Sequence, residues 1–223
     1  MRRLGLAVAF ASLLAIQVAP SLHVAWQQTQ RLNGGRPVRL AVETRDPRDL
    51  LRGEYSVLAY EIGRLPGLGA GTKPSGCDLE TRESCRLEPG RVVYLRLSAD
   101  AQGIHRAEEV LFEPPDDGAL FIRGRLGSAT VVRQGAPLAS RTRTGRIDGQ
   151  PSEPASCQRP ACLTGTVSYG IEQWYGPQGV PAKLDRTARK DVLVEVRVAA
   201  DGQAAIDGIT VAGDTLARTA RLW

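Results

Sequence analysis

The 223 residues hold 29 Lys and Arg against 24 Asp and Glu, a net charge of +5 in which 26 of the cations are Arg and 3 are Lys. The arginines are scattered, the acids interleave with them and no basic run carries aromatics, so the excess does not describe a surface for anionic lipid or nucleic acid. No H-E-x-x-H and no P-loop is present, which removes those two routes to metal-assisted hydrolysis and nucleotide chemistry.

Arg2 and Arg3 are followed by residues 4–26 without one Asp, Glu, Lys or Arg. That is close to the ~20 residues that cross a bilayer as a helix, so residues 1–30 are predicted to be an N-terminal transmembrane anchor. Gln17, Ser21 and His23 weaken its second half, and Pro20 is placed to kink or end it. A cleaved signal peptide is the competing reading, but neither Gln17-Val18-Ala19 nor His23-Val24-Ala25 supplies the small residues that cleavage needs. Arg2, Arg3 and the α-amino group hold the N-terminus in the cytoplasm, and Trp26 suits the far interface. Residues 31–223 are then expected outside the cytoplasm, enough for one domain with a real core.

This remainder reads as mostly β, a β-sandwich or barrel-like domain with one short helix. Strands are predicted over 37–43, 54–62, 91–97, 104–112, 119–126, 129–133, 163–175, 192–199 and 204–211, and the helix over 182–189. Asp46-Pro47 starts a turn, Leu50 and Leu51 fit one helical turn, and Gly53 supplies a conformation that other residues avoid. From Glu54 the alternation puts Tyr55, Val57 and Ala59 on one face, with Ser56, Leu58, Tyr60 and Ile62 on the other. Both faces are largely apolar, which predicts a strand covered on both sides. Leu58 and Tyr60 are its expected core residues. The last hairpin is the clearest, with Val192, Val194, Val196 and Val198 on one face and Asp201-Gly202 as its turn.

Residues 63–90 and 134–161 have no apolar period and are predicted to be long surface loops. Each contains one close cysteine pair, Cys77 with Cys85 and Cys157 with Cys162. Local disulfides that order the loops, closed in an oxidising compartment, are the expected pairing. The alternative is a four-thiolate zinc site; the Cys157 to Cys162 spacing fits such a site and the Cys77 to Cys85 spacing does not. No metal and no cofactor are expected.

Catalytic groups are sparse. His23 lies in the anchor, and His105 reads as a solvated strand-end residue rather than part of a Ser-His-Asp arrangement. A membrane-bound Ser/Lys hydrolase, resembling a signal peptidase in layout, would draw on Ser56 or Ser168 with Lys183 or Lys190. Carboxylates are better placed: Asp46, Asp49 and Glu54 cluster, and Glu172 lies between Tyr169 and Trp174. They either cap turns and pair with Arg48 or Arg52, or line a polar binding cleft.

Gly53, Glu54, Tyr55, Leu58 and Tyr60 occur at the spacing G-[DE]-Y-x-x-L-x-Y, after the lead-in Asp46-Pro47-Arg48-Asp49-Leu50-Leu51-Arg52. A second block follows, Tyr169-Gly170-Ile171-Glu172 with Trp174-Tyr175 and Pro177-x-Gly179, and then the closing hairpin. Together these resemble the GDYXXLXY family of bacterial membrane-anchored proteins; the main departure is Glu54 where Asp is usual. The resemblance implies no assigned biochemical activity. It implies company, because such proteins tend to be encoded beside polytopic membrane proteins. The expectation is a single-pass inner-membrane protein whose periplasmic domain is a binding or accessory module, not an enzyme. A polytopic inner-membrane protein would be its partner, reached through the face carrying Glu54, Glu172 and Trp174.

Overall fold

The computed structural model describes residues 2–45, 55–72, 74–138, 156–176, 179–185 and 191–219, with the side chains of 2–9, 11, 43–45, 182, 183 and 185 left aside. A 33-residue helix, α1 (Arg2–Gly34), contains Pro20 and runs directly into β1 (Arg36–Arg45). Among its described side chains the buried ones are at its foot, Thr29 and Leu32, where the helix meets the strands β10 (Val192–Val198) and β11 (Ala204–Val211). Among the described residues no helix is long and apolar enough to cross a membrane, and α1 over residues 12–34 falls short. The polar Gln17, Ser21 and His23 and the glutamines of its foot dilute its apolar content.

The first sheet is antiparallel, in the order β12 (Asp214–Arg218), β11, β10, β1, β2 (Tyr55–Tyr60), β9 (Gln173–Tyr175). Strand β1 changes neighbour along its length, since residues 36–41 pair with β10 and residues 42–45 with β2. The predicted hairpin is present. Val192, Val194, Val196 and Val198 are buried, Val198 faces Ala204, and Gly202 takes a positive φ of 80° in the turn. That conformation costs glycine nothing. The short helix is α2 (Val180–Asp185), packed on β2 and β1 with Leu184 fully buried.

The second sheet closes. Going round it, β3 (Arg64–Ala70) pairs with β6 (His105–Leu111), β6 with β5 (Val92–Ala99), β5 with β7 (Phe121–Arg133), β7 with β8 (Ala161–Ser168), and β8 with β3 again. β4 (Ser84–Leu87) lies beside the second half of β7. The β3/β6 pair is parallel and the other pairs are antiparallel. This neighbour order, with its strand directions, is that of an OB barrel whose chain enters at the third strand. Closure removes the sheet edges that an open sheet would have to protect. Core side chains of the barrel, such as Val93, Leu95, Ile122 and Leu163, are continuous with those of the first sheet, such as Leu40, Leu58 and Val194.

Several sequence expectations change. The 63–90 stretch is not simply a surface loop: entered through the 3-10 turn Glu61–Gly63, it contributes β3 and β4. Residues 119–126 and 129–133 belong to one strand, β7, which bends at an irregularity between Leu126 and Ala129 and so serves two neighbours in turn. Conversely, 163–175 is interrupted after Ser168, and β12 extends the final hairpin by a third strand. β2 is buried on one face, with Ser56, Leu58 and Tyr60 inside and Tyr55, Val57 and Ala59 half-buried, rather than covered on both.

Both expected disulfides are formed, Cys77–Cys85 and Cys157–Cys162, with Cα separations of 5.9 and 5.7 Å. With all four sulfurs bonded, no thiolate is left to build the zinc site. The disulfides do more than order loops. Cys85 on β4 faces Val131, and Cys162 on β8 faces Val132, so the two bridges grip strands on either side of the same stretch of β7. Cys77, Cys157 and Cys162 are buried.

Candidate functional site

The two sequence blocks that stood far apart are adjacent strands. β2 pairs antiparallel with β9, Tyr55 opposite Tyr175, Ser56 opposite Trp174 and Val57 opposite Gln173. The ladder continues beyond β9, where the Leu58 N–H donates to the Glu172 carbonyl at 2.7 Å.

Two tyrosines lock this junction. The Tyr60 hydroxyl donates to the Ile171 carbonyl at 2.9 Å, and the Tyr169 hydroxyl donates to the Ile62 carbonyl at 2.6 Å. The rings meet edge to face, with centroids 6.4 Å apart and an interplanar angle of 83°, a favoured aromatic arrangement. Both hydroxyls are buried. Burial first, and the Glu172 charge second, push both phenols well above their ordinary pKa, so they remain neutral donors.

Glu172 is a brace for the turn that precedes it. Its carboxylate accepts the Tyr169 N–H and, at 2.9 Å, the N–H of Gly170, whose φ is +80°. Anionic oxygens accepting backbone N–H groups make strong hydrogen bonds, so this carboxylate is already occupied. Trp174 is half-buried against the core and its ring lies over Gly176. The exposed aromatic here is Tyr175, 65% accessible, whose ring sits 5.7 Å from that of Tyr55. The outer edge of β9 has no strand partner among the described residues.

A small cleft of about 220 Å³ lies between β2 and β8, with Val57, Ala59, Thr166 and Glu172 among its walls. Of the sequence candidates, Tyr55, Leu58, Tyr60, Tyr169, Glu172 and Trp174 are brought together. Leu58 and Tyr60 are core, as the alternation indicated. Gly53, Glu54, Asp46 and Asp49 lie outside the described residues. So do Lys190 and the side chain of Lys183. Ser56 is fully buried, with its hydroxyl on the Pro181 carbonyl at 3.3 Å, and the Ser168 hydroxyl is 3.5 Å from the Arg125 carbonyl. His105 is not a freely solvated residue: half-buried at the start of β6, its Nδ1 accepts the Arg39 N–H at 3.2 Å and ties the barrel to the first sheet. Burial lowers its pKa.

Reading along the chain missed the reciprocal lock, although a signal was there. Tyr-x-Ile occurs in both blocks, as Tyr60-Glu61-Ile62 and Tyr169-Gly170-Ile171, and each tyrosine bonds the isoleucine carbonyl of the other triplet. A match to the model of the GDYXXLXY protein family covers residues 17–209, which contain both triplets, β2, β9, β10 and most of β11. The chain belongs to the GDYXXLXY family. No curated protein and no solved structure matches it. In this GDYXXLXY protein the namesake Leu58 and Tyr60 are therefore parts of a packed junction between two chain segments, while Tyr55 forms the outer aromatic pair with Tyr175.

Proposed function

We propose that the protein is a membrane-tethered binding or accessory module whose domain lies in the periplasm and acts on a polytopic inner-membrane partner. The observation that carries this is the state of α1. Phe10, Leu13, Leu14, Ile16, Val18, Leu22, Val24 and Trp26 are all exposed, Ile16 by 71%, although the foot of the same helix is docked. At 100° per residue these positions fall on every side of the helix. Exposed apolar side chains on every side of a helix call for apolar surroundings, and among the described residues no part of this domain provides them.

The polar positions refine the reading. Gln17, Ser21 and His23 dilute the apolar run, and polar side chains within a bilayer favour contact with other helices. The tether therefore sits against helices of the partner, with residues 4–9 extending the uncharged run on the side of Arg2 and Arg3. Those two arginines favour a cytoplasmic N-terminus, and two closed disulfides accord with an oxidising compartment on the other side. On the domain, the open edge of β9 with Tyr175 takes over the contact role expected of Glu172, whose carboxylate is spent within its own turn.

Purification in mild detergent tests this. The full chain should resist carbonate extraction and bring down a multi-span protein; Gln17→Leu with His23→Leu should leave it in the membrane and release the partner. A soluble protein shortened at its N-terminus, or a membrane-bound one that always purifies alone, would count against the proposal.

A further inference from the structure

We propose that the open cavity at the foot of α1 binds a phosphate-bearing anion. It has a volume of about 690 Å³, within the range of small-molecule sites and larger than a bare ion requires. Its walls come from the foot of α1, from β7, from residues 168–175 and from β11. They bring Arg31 to Arg123 and Arg125, alternate residues of β7 about ninety positions away in sequence, around one space.

Cations outnumber acids there, three to one. Glu172 is the one acidic residue on the wall among the described residues, and its carboxylate is held by the N–H groups of Tyr169 and Gly170. Arg125 donates to the Gly90 carbonyl at 3.3 Å. Among the described residues Arg31 and Arg123 have neither an ion pair nor a side-chain hydrogen bond. Elsewhere on the domain Arg96, Arg106, Arg133 and Arg197 are ion-paired whereas, among the described residues, Arg86 and Arg218 are not; what sets Arg31, Arg123 and Arg125 apart is that they share one cavity. Guanidinium groups present planar forks that match phosphate oxygens, and Gln28, Ser168 and Gln203 add polar groups for whatever the phosphate carries.

Position points to two sources of this chemistry. Arg31 lies five residues beyond Trp26, about 7.5 Å along the helix axis, so a tethered domain holds the cavity within reach of phospholipid headgroups. A soluble phosphate ester in the same compartment offers the same group. The arginine cluster carries the inference; only the lipid source rests on the tether.

The full chain in neutral detergent would be titrated by calorimetry with glycerol 3-phosphate and, separately, with short-chain phosphatidylglycerol, using phosphatidylcholine as the comparison. Saturable binding that weakens with salt is expected, at least tenfold weaker in Arg31→Gln and in Arg123→Gln and unchanged in Arg86→Gln, which lies outside the cavity. Because the guanidinium groups of Arg31 and Arg123 make no bond among the described residues, both variants should keep their urea midpoint, and Arg→Lys at the same positions should retain partial binding. Binding of the glycerol ester alone assigns the soluble source, and preference for phosphatidylglycerol over phosphatidylcholine assigns the lipid. No saturable binding to either, or affinity unchanged in both Gln variants, overturns the proposal. Partner co-purification is read independently, so the two proposals can fail separately.

Discussion

Tyr60 and Tyr169 are reciprocal: each hydroxyl donates to the backbone carbonyl two residues beyond the other tyrosine, at Ile171 and Ile62 respectively. The arrangement ties the end of β2 to the segment that leads into β9. Each ring also covers the other, so neither can be altered without disturbing its counterpart.

Tyr60→Phe and Tyr169→Phe should each cost about 1–3 kcal/mol in urea unfolding, because a buried carbonyl loses its donor. The double variant should cost less or more than the sum by at least about 0.5 kcal/mol, since the pair shares contacts. Leu58→Ala, which removes a fully buried side chain, should cost about 2–5 kcal/mol. Additive tyrosine variants would show the two bonds to be independent.

The same pair sets an alkaline limit. Both phenols are raised in the fold, so near and above the ordinary tyrosine value of about 10 the unfolded chain loses protons that the folded one keeps. Stability is therefore full below that pH and falls as pH rises through it. Glu172→Gln removes the second cause of the shift while burial remains. Spectrophotometric titration should show the two tyrosines raised in the fold moving to lower pH in that variant while staying above the ordinary tyrosine value of about 10.

At the acid end, His105 has the opposite sign. Its pKa is lowered by burial, so the unfolded state takes up protons first as pH falls below about 6.5, and stability declines there. His105→Gln should flatten that part of the profile measured by thermal unfolding between pH 7 and 5. An unchanged slope would place the acid sensitivity elsewhere.

Each disulfide should contribute about 2–3 kcal/mol, and Cys157→Ala with Cys162→Ala should also loosen the buried cluster with Val132 and Ala136. Peptide mapping without reductant should recover the two local links. If reduction leaves the unfolding midpoint in place, the bridges order loops alone and the strands of β7 hold without them.

Gly165 on β8 combines a φ of +152° with a backbone approach so close that an added Cβ would meet the Ser128 carbonyl and the Ala129 Cα. Gly170 has a φ of +80° and open space. Gly170→Ala should cost about 1–2 kcal/mol through conformation alone, and Gly165→Ala should cost more, because overpacking against backbone is added. Equal midpoints for the two in urea would mean that β7 can move away.

Residues 55–60 and 192–198 disclosed their strands because their burial alternates within one element, and that period is written locally. Asp201-Gly202 likewise carries its own turn, and the two blocks carry the family. β3 was hidden for a physical reason. In Arg64–Ala70 the barrel needs glycine, where Leu138 packs against Gly67 and Arg159 against Gly69, so the side chains that would have shown a period come from other segments. Barrel closure, the tyrosine lock and the gathering of Arg31, Arg123 and Arg125 are decided by contacts between residues distant in the chain. Spacing along one segment carries no record of such contacts, because each depends on where the partner segment folds.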